Sequence, residues 1–231
     1  MLCKFLRKIT ANQVTGLKLE VQNMTNNELQ PHPKVIVGFI SAITQDWLSC
    51  SNQDGVFEIR CLGENRTTVN RRFTLDDLEE ATDLAVQMNK IKLNIYMTIN
   101  PIDCNASIKA GSGTKDKDIM RAHYSFADAD DEAGLKGIIK LSELCEPDIV
   151  VTTGTVPHER RHTYWRLSEP CIDLKLWRSK QSEIATLFAT DHSVINPSRV
   201  MRIAGTVSYP STKKQTRGYV PELVIMTKGL Y

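Results

Sequence analysis

The chain has 231 residues, a formal net charge of +2 and an apolar share of 41%, which suits one large globular domain or two small ones. No apolar run is long enough to span a membrane, and the opening MLCKFLRKIT is basic without the apolar core of a secretory signal. Cys3, Cys50, Cys61, Cys104, Cys145 and Cys171 are scattered with no C-x-x-C pair, which argues against a zinc knuckle or a disulfide framework. The natural compartment is the reducing cytoplasm of a bacterium or a host cell.

Residues 1 to about 34 read as a polar leader around Pro31-His32-Pro33, and the domain runs from 35 to 231. The apolar run Val35 to Ile43 suits a strand or a buried helix, since periodicity does not separate them. Gly55 to Leu62 alternates as a strand, with Val56, Glu58 and Arg60 on one face. Thr74 begins a helix: a hydroxyl cap follows Phe73, and Asp76, Asp77, Glu79 and Glu80 occupy the first turns. Leu78, Ala81, Ala85 and Met88 share its buried face, and Asn89-Lys90 closes it. Ile91 to Ile99 has the clearest period-two pattern and is expected to bury Ile91, Leu93, Ile95, Met97 and Ile99 until Asn100-Pro101 stops it. A small, charged loop over 104–118 leads to AHYSFADADDEAG, a strand that ends in Asp128, Asp130 and Asp131.

Ala133 to Leu144 is read as a helix carrying Leu135, Ile138, Leu141 and Leu144. Ile149 to Thr153 is a short buried strand, and His162 to Leu167 is its hairpin partner. Asp173 starts another helix, buried through Leu174, Trp177, Ile184, Leu187 and Phe188, with Asp191 in the loop beyond. Arg199 to Val207 is a further buried segment, and Val220 to Met226 a last strand. Strands and helices interleave throughout, so the fold class is α+β (mixed α/β).

Three polar groups stand out. Asp128 and Asp130 share a strand face, and two ionised carboxylates in a dry site call for a cation. Oxygen ligands of this kind suit magnesium or manganese, although the acids also fit a plain exit of the strand into solvent. The hairpin carries His162, Tyr164 and Arg166 on one face, with His158 and Arg160 in the turn. From His192 to Val220 there is no acid, while Arg199, Arg202, Lys213, Lys214 and Arg217 fall there. Acid pair, histidine and basic stretch form a kit for phosphate chemistry: metal on the carboxylates, phosphate oxygens on arginine and lysine. Each residue also has an ordinary structural role: a hydrogen-bonded His162, internal salt bridges for Arg199 and Arg202, solvated lysines, a loop acid at Asp191.

At these residues the chain resembles the archaeo-eukaryotic primase superfamily, and within it the RepB-like primase-polymerase domains of phage and plasmid replication proteins. FADAD matches the first motif of that superfamily at Asp128 and Asp130. TTGTVPHERRHTYWRL matches the histidine motif at His162, and ATDHSVINPSRVMRIAGTVSYPSTKK the single-acid motif at Asp191. The turn before the histidine is longer than the usual S-G-x-G, which leaves His158 as a rival to the favoured His162. The resemblance covers roughly residues 35 to 225.

The resemblance implies an N-terminal α/β half (35–120) and a C-terminal half like an RNA-recognition-motif sheet (121–231), with the active site in the cleft between. It further implies nucleotidyl transfer from NTP or dNTP on a single-stranded DNA template, using Mg2+ or Mn2+. Asp128, Asp130 and Asp191 would ligate metal. His162 would meet the phosphates, with His158, Arg160, Arg199, Arg202, Lys213 and Lys214 available to nucleotide or DNA. Asp131 points away and is expected to cap the next helix. The chain's end, close after the last predicted strand, is expected to be a cut in a longer protein with a helicase or accessory region. A non-catalytic single-stranded-DNA binder and a metal-dependent nuclease are the competing readings.

Overall fold

The first apolar run is a helix. In the computed structural model, which describes residues 29–47, 55–65 and 67–228, Pro33 opens α1 (Pro33–Thr44). Proline is pre-set for a first turn, where its missing N–H is not needed. Ile36, Phe39, Ile40 and Ile43 then recur at helical spacing with no exposed surface. Of the leader expected over residues 1–34, residues 1–28 lie outside the described residues, while Pro33 and Lys34 already belong to α1.

Strand β1 (Phe57–Leu62) buries Phe57, Ile59 and Cys61 and pairs with β2 (Thr68–Phe73), a strand the sequence reading did not identify. Thr74 N and Oγ1 donate to the Asp77 carboxylate at 3.0 and 2.6 Å, closing one 3-10 turn before α2 (Leu78–Lys90). The expected start is therefore present, one turn ahead of the regular helix. Strand β3 is shorter than expected (Asn94–Thr98). Ile91 is 64% exposed because it caps α2, and the left-handed Lys92 (φ 67°) redirects the chain before the buried phase begins at Leu93.

The second half supplies β4 (Ala122–Ala129), α3 (Glu132–Leu144), β5 (Ile149–Gly154), β6 (Arg160–Cys171) and α4 (Leu174–Phe188). After them come β7 (Val200–Arg202), β8 (Val207–Ser208), α5 (Thr212–Gln215), β9 (Glu222–Leu223) and β10 (Ile225–Lys228). Leu187, expected on the buried side of its helix, is 62% exposed, off the stripe of Trp177, Ile184 and Phe188, and Leu144, the last residue of α3, is 60% exposed. The single strand expected over Val220–Met226 is split: β9 pairs with β8, and β10 pairs with β5.

The result is a mixed α/β fold with two open four-stranded sheets, β2-β1-β3-β7 and β10-β5-β6-β4, and the small pair β8-β9. Strand β7 comes from the second half of the chain yet pairs with β3. Residues of α1 and of both sheets belong to one hydrophobic core, and α1 meets the second sheet directly: Phe39 lies edge-on to Tyr164 at 6.2 Å, and Tyr124 Oη donates to Ala42 O at 3.0 Å. The outer edge of β4 is closed by α4, whose Gln181 amide accepts from Phe126 N at 3.3 Å and donates to Phe126 O at 2.8 Å. No helix among the described residues is long and apolar enough to cross a membrane.

Helices α3 and α4 cross closely at Gly137, where an added Cβ would lie 1.6 Å from the Phe188 carbonyl oxygen. Helix propensity alone would favour Gly137→Ala by about 1 kcal/mol. The crossing is expected to reverse that sign and destabilise the variant by about 2–3 kcal/mol in urea unfolding; a more stable variant would refute the close approach.

His123 on β4 is buried beside Trp47, with ring centres 6.3 Å apart. Burial, aided by Arg121 and Arg166, pushes its pKa down to about 4. The native ring stays neutral while the unfolded one protonates near its ordinary value, so stability falls as pH drops from about 6.5 to about 4 and is unaffected above that window. Compared with His123→Phe, the wild type is expected to lose on the order of 3 kcal/mol between about pH 7 and about pH 4. A pH-independent difference between the two proteins would show that the ring titrates normally.

Candidate active site

Strand β4 pairs with β6 in a register that sets Tyr124 opposite Arg166, Phe126 opposite Tyr164 and Asp128 opposite His162. Side chains two apart on a strand share a face, so an aromatic ladder ends in an acid beside an imidazole. Asp130 lies just past β4 and is largely exposed. Asp131 turns away as expected, its Oδ1 accepting from Gly134 N at 2.8 Å to cap α3. After α4 the chain reverses through the left-handed Ala189 (φ 52°), and Asp191 N donates to Asp128 O at 3.0 Å. That bond brings the third acid alongside the first.

The basic side comes from the other sheet. Arg202 on β7 sits opposite Tyr96 on β3. It donates to Asn94 Oδ1 at 2.5 Å and Tyr96 Oη at 2.8 Å, with its guanidinium 4.7 Å from the Tyr96 ring centre. Arg199 donates to Ser193 Oγ at 3.0 Å, and Ser193 N and Oγ donate to Asp191 at 2.7 and 2.6 Å.

Between the sheets lies a cavity of about 330 Å³ lined by Asp128, Asp130, Asp191, His162, Arg160, Arg199, Arg202 and Lys214. His158 and Lys213 are not part of that lining. His158 Nε2 instead bonds the Asp130 main-chain oxygen at 2.8 Å, and Lys213 is exposed on α5. The Arg160 guanidinium is committed internally, to Glu222 at 2.8 Å and to the carbonyls of Val156 and His158 at 2.7 and 3.2 Å. Gly154 permits this tie, since a Cβ there would lie 1.7 Å from Arg160 Nη2.

Asn94, Tyr96 and Tyr219 also line the cavity and escaped the sequence reading. Asn94 and Tyr96 occupy the polar phase of the same strand whose apolar phase was read, which is the signal that was there to use. Tyr219 carried no such mark. Its buried ring gathers Arg160, Lys214 and Arg217 at 4.6, 5.4 and 5.5 Å and meets His158 edge-on at 5.7 Å.

Burial pushes the Asp128 carboxyl up to about 8, reinforced by Asp130 and Asp191 and opposed by Arg199 and Arg202. The same burial, with Arg202 and Arg199 adding to it, takes His162 down to about 3. His162 is thus a neutral hydrogen-bonding ring, with Nε2 3.5 Å from Asp128 Oδ1 and Nδ1 3.5 Å from Tyr164 Oη. Asp128 Oδ1 is buried without a hydrogen-bond partner, an arrangement that an added cation would relieve. Hard carboxylate oxygens suit Mg2+ or Mn2+ in that role. Among the described residues, no three His, Cys, Asp or Glu side chains close into a metal-binding cluster; the acids line the cavity without forming a finished ligand shell.

A buried, poorly compensated acid lowers stability for the sake of a site. With a chelator present, Asp128→Asn is expected to gain about 2 kcal/mol near pH 8. The gain should shrink as pH falls towards about 4, because below about pH 8 the native wild-type carboxyl is protonated while the unfolded one stays ionised down to its ordinary range, so wild-type stability recovers across that window. An unchanged or lower unfolding midpoint for the variant would mean that the charge is already compensated.

Solved primases share this fold. The AEP domain of the cyanophage S-2L primase-polymerase aligns with a TM-score of 0.60 at 19% identity, covering 88% of this chain and 95% of that one. The catalytic domain of primase RepB′ in complex with initiator DNA aligns at 0.53 and 15% identity, over 85% of this chain and 84% of the other. A further structure of primase RepB′ aligns at 0.53 and 13% identity, over 84% of this chain and 56% of that chain. No protein-family model and no curated protein matches the chain. At the level of fold, over most of its length, the chain is similar to these primase and primase-polymerase domains.

Proposed function

We propose that this chain is the catalytic domain of a DNA primase-polymerase, joining NTPs or dNTPs on a single-stranded DNA template in phage or plasmid replication. The observation that carries the reading is one cavity lined together by the acids Asp128, Asp130 and Asp191 and the cations Arg199, Arg202 and Lys214. Its occurrence in a fold similar to a primase-polymerase domain supports the same reading.

Asp128, Asp130 and Asp191 would hold Mg2+ or Mn2+. When bound, the divalent ion neutralises triphosphate charge and favours the 3′ alkoxide. In the transfer itself the 3′ hydroxyl gives its proton to water, its oxygen bonds to the α-phosphorus, the bond from that phosphorus to the α,β-bridging oxygen breaks, and pyrophosphate leaves. Arg199, Arg202 and Lys214 hold phosphate oxygens through charge-assisted hydrogen bonds. His162, neutral and rigid between Asp128 and Tyr164, offers a hydrogen bond rather than a charge. His158 and Arg160 act by position, tying the hairpin to Asp130 and Glu222, while Lys213 on the exposed face of α5 suits the strand backbone. A helicase domain or protein is the partner this reading calls for.

Asp128→Ala and Asp130→Ala are each expected to reduce primer extension on single-stranded DNA by more than about a hundredfold with the fold intact. Asp131→Ala should stay active, losing only about 1 kcal/mol of stability with its cap. Primer extension by a folded Asp128→Ala/Asp130→Ala protein would overturn the assignment of the acids. A second reading, a non-catalytic binder of single-stranded DNA, would use the same basic lining, Arg199, Arg202 and Lys214, without the acids. It predicts a shifted DNA probe and no incorporation, whereas a nuclease would cleave the strand without any triphosphate.

A further inference from the structure

Two of the cavity's acids already have side-chain partners. Asp130 Oδ2 lies 3.5 Å from Lys214 Nζ, and both Asp191 oxygens accept from Ser193, at 2.7 and 2.6 Å. Arg199 holds that same serine hydroxyl at 3.0 Å.

Lys214 differs from the neighbouring arginines in how it is held. Arg160 is fixed by Glu222 and two carbonyls, and Arg202 by Asn94 and Tyr96. The Lys214 ammonium rests between the Asp130 carboxylate and the face of Tyr219, 5.4 Å from the ring centre. Its stem is flexible and its head is a compact point charge. The backbone beneath it is anchored: Thr212 N donates to Glu64 Oε1 at 2.5 Å, Gln215 Nε2 to Pro210 O at 2.9 Å, and the turn closes at Gly218 (φ 87°). The ammonium is therefore the mobile part of a fixed arm that lines the cavity.

A metal ion and an ammonium group repel at contact distance, and one carboxylate oxygen does not accommodate both. A cation that takes the Oδ2 atom of Asp130 displaces Lys214 from it. If that cation arrives with a triphosphate, the displaced ammonium finds a phosphate oxygen in place of the carboxylate. A bare ion offers it no such replacement, and leaves it with the Tyr219 face, already shared with Arg160 and Arg217.

We propose that Lys214 exchanges between Asp130 and a phosphate oxygen of the nucleotide, so that the cavity takes a metal–triphosphate complex in preference to bare metal. This rests on the reading of Asp130 as a metal ligand. Metal and nucleotide are then coupled through one side chain, each binding better in the other's presence.

The test uses the full chain and two measurements that need no turnover: Mn2+ binding alone, followed by electron paramagnetic resonance, and calorimetric binding of a non-hydrolysable nucleoside triphosphate at saturating Mn2+. Lys214→Gln is expected to bind bare Mn2+ about two- to fivefold more tightly, the range for an exposed ion pair. The same variant should bind the nucleotide analogue at least about fivefold more weakly. Lys140→Gln, on the exposed side of α3, removes the same charge far from these contacts and should change neither value. Mn2+ affinity in Lys214→Gln no tighter than wild type, or analogue affinity unchanged, overturns the exchange. Asp130→Asn separates the two layers of the argument: lost Mn2+ affinity there, with Lys214→Gln neutral, sinks the lysine exchange alone. Unchanged Mn2+ affinity in Asp130→Asn sinks the ligand assignment and the exchange together.

Discussion

Three asparagine side chains along β3 and its approaches hold the two sheets in the relation that the cavity requires. Asn89 donates to the carbonyls of Leu93 and Val207, both at 2.9 Å, and accepts from Val207 N at 2.7 Å. Asn94 exchanges bonds of 2.8 Å with Tyr209 N and O. Asn100 donates to Pro197 O and accepts from His123 N, both at 3.0 Å. A buried amide with its donors and acceptor satisfied holds a backbone as a neighbouring strand would, and leaving one of its groups unmade is expensive. The segment from Pro197 to Tyr209 is thereby laid along the first sheet, and Arg199 and Arg202 are carried to the acids of the second. Asn100 reaches β4 itself, so the same device registers the basic segment against the strand that bears Asp128.

The electrostatics follow from that placement. Asp128 stands at the end of an aromatic ladder whose other members, Tyr124, Phe126 and Tyr164, are fully buried. Such surroundings favour the neutral acid, and Asp130 and Asp191 push the same way. Arg199 and Arg202 oppose them without cancelling them. His162 meets the same dryness and the same two arginines and stays neutral. An acid and an imidazole that face each other without forming an ion pair are a poor stability device. They fit the proposed site, in which a bound cation would supply the missing charge, a common trade of stability for function.

Much of the cavity's equipment was legible as local pattern. The alternation of AHYSFADAD placed Asp128 on a strand face, Asp131 followed by a helical run read as a cap, and the acid-free stretch from His192 to Val220 marked the basic side. Thr74 with its trailing acids announced α2. Where the reading slipped, long-range pairing had outvoted local period. Ile91 fits the alternation of β3, yet the α2 cap and Lys92 break the phase before Leu93. Strand β2 reads as polar because it is an edge strand, with Asn70 and Arg72 bonded to the carbonyls of the 108–112 loop rather than to a core. Val220 to Met226 looks like one strand because nothing local says that Glu222 and Ile225 belong to different sheets.

Local signals account for which polar residues stand on which element: periodicity, caps and turn residues act over a few positions and are written there. Which of those residues meet follows from long-range pairing. The register of β4 on β6 put Asp128 opposite His162 rather than beside His158. The Glu222 carboxylate withdrew Arg160 into the fold, and the α5 arm brought Lys214 within reach of Asp130. Each of these outcomes depends on partners tens of residues away, chosen by burial and hydrogen-bond satisfaction over the whole core.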